Sequence, residues 1–168
     1  MAISGLRDLY VAELQEARSF EALLTDALPK MAKAASEEQL RLAFEQHLEA
    51  TREQLASVEA LLKEAGADPK AHQDQSMKVL IEQSEKMTGM VAAGPLRDAA
   101  LIASAQRIEH YEIAVYGTLA TYAKMLGLEN DHQILNGILG EEKDADDLLT
   151  DIAVGMVNPA VAETEAGS

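Results

Sequence analysis

The sequence has no cysteine, and this absence excludes several kinds of site. A disulfide framework, a thiolate metal site and a catalytic thiol all require cysteine sulfur. Any metal held by this chain must therefore bind through oxygen and imidazole ligands.

Aromatic residues are also scarce, at 4% of the chain, although hydrophobic residues make up 48%. Strands are usually rich in aromatic and β-branched residues, whereas Ala, Leu, Glu and Gln, which are abundant here, favour helices. A length of 168 residues suits one domain with a sizeable core. We therefore expect a single all-α domain.

Basic residues number 14 against 29 acidic ones, which leaves a formal net charge of -15. Nucleic-acid binding depends on Lys and Arg that displace condensed counterions, so this balance argues against nucleic acid and anionic membranes as partners. No apolar run approaches the roughly 20 residues of a membrane span, and the first residues lack a signal-peptide pattern. The expectation is a soluble cytoplasmic protein.

Hydrophobic residues three and four positions apart predict four long helices and one short one. Helix A should run from Ile3 or Ser4 to the region of Pro29, which could kink it instead of ending it. Helix B should open at a capping box with Ser36 as the N-cap and stop at Gly66. A shorter helix is predicted over residues 73–90, helix C over 95–126 and helix D over 130–157. Residues 1–157 would form the bundle, and residues 158–168 a flexible tail.

The lengths of the connections favour one topology. Short links join A to B and C to D, whereas about 28 residues separate Gly66 from Gly94 between B and C. Short links make antiparallel hairpins, and one long crossover between two hairpins is the arrangement of ferritin-like folds. We therefore predict a ferritin-like four-helix bundle with an extra short helix in its crossover.

Acidic residues fall inside the apolar stripes when the helices are projected at about 100° per residue. Glu109 and Glu112 share the inward face of helix C at i, i+3 spacing. Glu142 and Asp146 occupy the inward face of helix D, and His47 is the inward polar residue of helix B. On each of these three helices, the apolar stripe thus carries a potential metal ligand.

Helix A leaves two candidates open. Glu13 projects near the centre of the apolar stripe, while Glu21 lies about 60° away at its edge. Glu21 could also pair with Arg18 on a neighbouring face. His110 points away from the inward acids and is not predicted to be a ligand.

Energetics favour metal over a purely structural role for these acids. An ionised carboxylate buried without a partner costs several kcal/mol, against a whole-domain stability of about 5–15 kcal/mol. The inward stripes of helices C and D contain no Lys or Arg that could neutralise them. A lone inward histidine such as His47, by contrast, is more often a hydrogen-bonded core residue than a ligand.

Five strings of residues also resemble a known family. They are Ala-Leu-Pro-Lys-Met-Ala-Lys at 27–33, Ala-Phe-Glu-Gln-His-Leu-Glu at 43–49, Arg-Asp-Ala-Ala-Leu-Ile at 97–102, Glu-His-Tyr-Glu-Ile-Ala-Val-Tyr-Gly-Thr at 109–118, and Glu-Glu-Lys at 141–143 followed by Asp146. Over nearly its whole length the chain resembles the ferritin-like YciE/YciF family of bacterial stress-response proteins. The resemblance implies a four-helix core, a homodimer and a di-iron centre.

The chain departs from the family pattern at two places. The family commonly has two acids and then Thr after the His-Leu pair, whereas Ala50 stands here between Glu49 and Thr51. The recurring Ala-Glu-Lys-Gln of helix A corresponds to Phe-Glu-Ala-Leu at residues 20–23, which retains only Glu21. Glu21 is carried over as a ligand on that basis, with Glu13 as the substitute.

These observations lead to one set of expected ligands and three hypotheses of function. The expected metal ligands are Glu21, His47, Glu109, Glu112, Glu142 and Asp146. The first hypothesis is a dinuclear centre, with iron favoured by analogy and manganese possible, that reacts with oxygen or peroxide in a stress response. The second is a structural or interaction protein without redox activity, which Ala50 favours. Iron storage ranks third because it needs a large closed shell.

Overall fold

The chain is helical over most of its length in the computed structural model, which describes residues 3–166. The α-helices are α1 (Leu6–Ala34), α2 (Glu38–Glu64), α3 (Gln75–Met90), α4 (Pro95–Met125), α5 (Glu129–Ile152) and α6 (Asn158–Ala166), with a π-helix at Ala153–Val157 between the last two. No strand occurs within the described range, so the predicted all-α class is confirmed.

Two helical hairpins form the bundle. Helix α1 packs on α2 and α4 packs on α5, while contacts from α1 to α4 and from α2 to α5 join the hairpins. The Tyr10 hydroxyl donates to Asp131 at 2.8 Å, so α1 and α5 begin at the same end of the bundle. The backbone N–H of Ser36 donates to Asp98 at 2.8 Å, so α4 begins where α1 ends. Helix α4 is therefore antiparallel to α1 and parallel to α2.

The connection between α2 and α4 must therefore run the length of the bundle. Helix α3 lies within this crossover and packs against α4 and α1. The predicted ferritin-like arrangement, with two hairpins joined by one long crossover and an extra short helix, is confirmed.

Glycines end two of the long helices, as the sequence predicts. Gly66 after α2 and Gly127 after α4 have φ values of 66° and 72°, a left-handed conformation that glycine adopts without the strain of a β-carbon. Pro29 lies inside α1, which continues to Ala34. Helix α1 therefore runs through the proline, and Ala35 is its C-cap.

The predicted capping box at the start of α2 is wrong. The N-cap is Glu37, whose side chain accepts a hydrogen bond from the N–H of Gln39. Ser36 instead donates its N–H to Asp98, and its hydroxyl accepts the N–H of Gly94. A tertiary contact with the start of α4 thus replaces the local cap, which sequence spacing alone does not reveal.

The C-terminal residues that the sequence predicts to be a flexible tail are helical as far as Ala166. A π-helix at Ala153–Val157 shifts the helical register, and α6 then packs against α4. Pro159 follows the π-helix closely and, because it has no backbone N–H, cannot donate to a carbonyl of the preceding helical turn. Residues 167 and 168 of the predicted tail lie outside the described residues.

Buried aliphatic and aromatic side chains fill the space between the helices. The largest that are fully buried are Tyr10, Leu14, Phe20, Leu24, Leu40, Leu61, Leu62, Met77, Leu101, Tyr116, Leu119 and Leu135. No helix among the described residues is both long and apolar enough to span a bilayer.

Candidate metal centre

Four potential metal ligands from three helices converge in the middle of the bundle. They are His47 on α2, Glu109 and Glu112 on α4, and Glu142 on α5. One ligand atom from each of the four lies within 4.8 Å of the others. His47 Nε2 lies 3.4 Å from Glu109 Oε1 and 3.6 Å from Glu142 Oε2. These spacings allow the four side chains to share a bound cation.

The carboxyl groups of this cluster are removed from water. Glu112 and Glu142 are fully buried, Glu109 is 3% exposed, and the His47 side chain is 10% exposed. The spacing of Glu109 and Glu112 by three residues puts both on one face of α4, as the helical period requires. Helix periodicity therefore accounts for their inward orientation.

Buried oxygen and nitrogen atoms around the cluster have no hydrogen-bond partner in the described part of the chain. They are Glu21 Oε2, His47 Nε2, Gln54 Oε1, Glu109 Oε2, both Oε atoms of Glu112, Glu142 Oε2 and Asp146 Oδ1. Most buried polar atoms in proteins are paired, so such a concentration at one place needs a physical explanation. All of them are atoms that can donate a lone pair to a cation.

Burial shifts the protonation equilibria of the cluster toward neutral forms. It raises the pKa of Glu109 and Glu112 well above the ordinary range, and the neighbouring Glu142 raises both further. The pKa of Glu142 rises to about 7 through burial, although hydrogen bonds from Glu109 and Gln54 oppose the rise. Burial lowers the pKa of His47 to about 4, which keeps its imidazole neutral and able to bind metal.

Glu21 lies beside this cluster on α1 and is fully buried. The Tyr116 hydroxyl donates a hydrogen bond to Glu21 Oε1, while the other carboxylate oxygen has no partner. Burial raises the pKa of Glu21 well above its usual range, and the charges of Glu142 and Glu141 contribute to the rise. Glu13, the alternative on α1, is only half-buried, so the structure favours Glu21 at this position.

Asp146 lies at the margin of the site. The group of four closely spaced ligands does not include it, although its charge raises the pKa of Glu109. Its Oδ2 is 3.3 Å from Nε2 of His110, whose side chain is 68% exposed. His110 thus points away from the centre, as the helical projection predicts, and lies beside Asp146.

Sequence reasoning assigned no role to Gln54, which lies two helical turns after His47 on α2. Its side-chain nitrogen donates to Glu142 Oε1 at 2.5 Å and to Glu141 Oε2 at 2.8 Å. Gln54 is 1% exposed. In the sequence, Gln54 shares the apolar face of His47. This position predicts that Gln54 is buried but does not identify the acids that it contacts.

Comparisons with known proteins agree with this architecture. The family described as a domain of unknown function, DUF892, matches residues 5–162. Protein YciF of Escherichia coli strain K12 is 40% identical over 159 residues, which cover 94% of this chain and 96% of the relative.

Two solved structures resemble the chain over most of their lengths. The crystal structure of the E. coli stress protein YciF has a TM-score of 0.88 at 40% identity and covers 93% of this chain and 99% of that one. YcfI from Rhodopseudomonas palustris, described as a proposed structural protein, has a TM-score of 0.84 at 34% identity, with coverage of 88% and 94%. The chain therefore belongs to the DUF892 family, which includes YciF, in agreement with the resemblance found in its sequence.

Proposed function

We propose that this protein binds two metal ions in the buried centre and that they are iron. The observation that carries the proposal is the convergence of His47, Glu109, Glu112 and Glu142 within 4.8 Å, with unpartnered oxygen atoms that are out of contact with water. Glu21 and Asp146 extend this set, because their charges interact with those of Glu109 and Glu142. All six residues predicted as ligands are then part of one centre or its margin.

Charge balance favours two divalent ions over one. Glu21, Glu109, Glu112 and Glu142 would carry four negative charges when ionised, and His47 is neutral. Two divalent cations neutralise four carboxylates, whereas a single one would leave two buried charges without a partner. Because uncompensated buried charge costs several kcal/mol per ion, the pair is the more stable arrangement.

Carboxylate and imidazole ligands suit iron and manganese, and the absence of cysteine removes the thiolate ligands typical of many zinc sites. The E. coli relative is described as a stress protein, which favours a metal with redox chemistry. A bound iron pair would supply electrons to oxygen or peroxide. The protein's own residues would hold the ions, exclude bulk water and, through Tyr116, fix the orientation of Glu21.

The test is elemental analysis of protein purified without chelator, followed by anaerobic ferrous titration with the melting temperature as a second readout. We expect about two irons per chain and a rise in melting temperature, because a ligand that binds only the native state stabilises it. Glu112→Gln should reduce both effects, while Glu82→Gln on the exposed face of α3 should change neither. Full folding in chelator with no iron uptake and no thermal shift would overturn the proposal.

A structural or interaction role without redox activity is the second candidate. Ala50, in place of an acid, and the description of the R. palustris relative as a proposed structural protein favour it. Under this alternative, metal would be substoichiometric and easily removed, and exposure to air would leave the optical spectrum of the ferrous-treated protein unchanged.

We also propose a soluble cytoplasmic homodimer that binds neither nucleic acid nor membrane, on the basis of family resemblance and acidic charge. Sedimentation of the full chain measures the oligomeric state. A closed shell of many subunits would instead favour iron storage, whereas a dimer is too small to enclose a mineral core.

A further inference from the structure

One side chain links the buried centre to the surface of the bundle. Gln54 Nε2 donates hydrogen bonds to both Glu142, which is fully buried, and Glu141, which is exposed. The two acids are neighbours on α5, yet one faces the centre and the other faces solvent. A single amide nitrogen therefore lies between a surface carboxylate and a carboxylate of the site.

The other end of the same amide is unsatisfied. Gln54 is 1% exposed, and its Oε1 has no hydrogen-bond partner among the described residues. An amide oxygen is a neutral ligand for hard cations such as divalent metals. Rotation of the amide by half a turn would exchange its nitrogen and oxygen, and would direct that oxygen toward the two carboxylates.

We infer that Glu141 and Gln54 form the route by which divalent cations reach the buried centre. Glu141 captures a hydrated cation at the surface, and the approaching charge repels the amide hydrogens of Gln54. The amide then turns its oxygen toward the cation, which passes to Glu142. This inference rests on the proposed function, since it requires a metal that binds at the centre.

A small cavity beside His47 and Glu109 is an alternative path for cations into the site. This cavity of about 20 Å³ borders His47 and Glu109 and is otherwise lined by the apolar side chains of Ala43, Phe44, Ala145, Leu148 and Leu149. A volume of this size holds about one water molecule. A hydrated cation would have to pass the apolar side chains of this opening before it reached Glu109, whereas Glu141 offers a carboxylate at the surface, so the acidic route is favoured for ions.

Stopped-flow uptake of Co²⁺ by the full chain tests the route, because the visible absorption of Co²⁺ reports its coordination. A route residue lowers the barrier in both directions, so its loss slows uptake and release by a similar factor and leaves the dissociation constant nearly unchanged. Loss of a true ligand would instead accelerate release and weaken affinity. The ratio of the two rates therefore separates the two roles.

We expect Glu141→Gln to slow Co²⁺ uptake by about threefold to tenfold at low salt, since local charge raises the association rates of counter-ions. Gln54→Leu should slow uptake and release to at least the same extent. Glu53→Gln removes the same charge from an exposed position next to Gln54 and should leave both rates unchanged. Leu148→Trp, which narrows the apolar cavity, should also have no effect on cation uptake.

Two outcomes overturn the inference and remain distinguishable. If wild-type protein binds Co²⁺ and the Glu141 and Gln54 variants load at the wild-type rate, cations take another route and the metal centre still stands. If Leu148→Trp alone slows uptake, the apolar cavity is that route. Wild-type protein that binds no Co²⁺ and no iron would overturn the proposed function itself.

Discussion

The buried acids of this protein fall into two groups that differ in their hydrogen bonds. Asp98 and Asp74 are 2% and 3% exposed, about as buried as Glu109. Asp98 accepts the backbone N–H groups of Ser36 and Glu37, and Asp74 accepts the N–H of Met77 and the hydroxyl of Tyr111. Protein donors therefore satisfy these two carboxylates.

The acids of the central cluster have fewer such donors. Tyr116 donates one hydrogen bond to Glu21, and Gln54 donates one to Glu142. Neither Oε atom of Glu112 has a partner within the described residues, and Glu21, Glu109 and Glu142 each have one unpartnered oxygen. Burial alone therefore does not distinguish a structural acid from a metal ligand. The distinction lies in whether the surrounding chain supplies the donors, because an unsatisfied buried carboxylate is stable only when protonated or bound to a cation.

Replacement of Asp98 should have the largest effect on stability. Asp98→Ala removes the acceptor of two backbone N–H groups between α1 and α2, and we expect a loss of about 3 kcal/mol in the free energy of unfolding. Urea denaturation measures it. Asp8→Ala removes the acceptor of two Ser4 donors at an exposed site and should cost much less. Equal losses in the two variants would show that burial does not increase the contribution of Asp98 to the free energy of unfolding.

Replacement of Glu109 should increase the free energy of unfolding of the metal-free protein, the opposite of the effect expected at Asp98. Glu109→Gln removes a carboxyl group whose pKa is raised by burial and neighbouring acids, so we expect a gain of about 1–2 kcal/mol in chelator. With excess ferrous ion, wild-type protein should become the more stable of the two. A variant that is destabilised in chelator would place Glu109 with the structural acids, and Glu82→Gln controls for the change in net charge.

The pH dependence of the stability of the metal-free protein should reflect the raised pKa values of the buried glutamates. A group whose pKa is raised on folding contributes stability below its unfolded pKa and loses it as pH rises through the folded value. For Glu142 that window runs from its ordinary value near 4.5 to about 7. Glu21, Glu109 and Glu112 have pKa values shifted in the same direction.

Lowering the pH from 8 to 6.5 should therefore stabilise the metal-free protein by about 1 kcal/mol or more. The lowered pKa of His47 opposes this gain in the lower part of the range, because the imidazole of the unfolded chain is half protonated at pH 6.5 while that of the folded chain stays neutral. Denaturant midpoints across this range provide the measurement. Iron-loaded protein should show the reverse trend, because protons compete with the metal for ligands. A denaturant midpoint of the metal-free protein that does not change with pH would contradict the raised pKa values of the buried glutamates.

The smallest effect is expected at the second satisfied acid. Tyr111→Phe removes one of two donors to Asp74 at a half-buried position, and we expect a loss of about 0.5–1 kcal/mol with no change in metal affinity. Tyr116→Phe, which removes the donor to Glu21, should alter iron affinity as well. If neither variant changes iron binding, Tyr116 belongs with the structural contacts.

The inward position of the acids on α4 and α5 was predictable from the sequence, whereas on α1 the helical projection put Glu13 nearer the centre of the apolar stripe than Glu21, which the structure buries fully. Glu109, Glu112 and Glu142 share faces with apolar residues at helical spacing, and burial on folding follows from that pattern. The roles of Asp98 and Gln54 were not predictable in this way. Their partners lie 62 and 88 residues away along the chain, so no local pattern records those contacts.

The sequence by itself determined the helical class, the two hairpins with one long crossover, and the sides of α2, α4 and α5 that face inward. These properties depend on residue propensity, connection length and the 3.6-residue helical period, all of which are local. Only the tertiary structure decided which acids meet, since the relative height and rotation of packed helices set the distances between side chains. It thereby brought His47 to Glu109 and Glu142, left Asp146 at the margin, and placed Gln54 between a surface acid and a buried one.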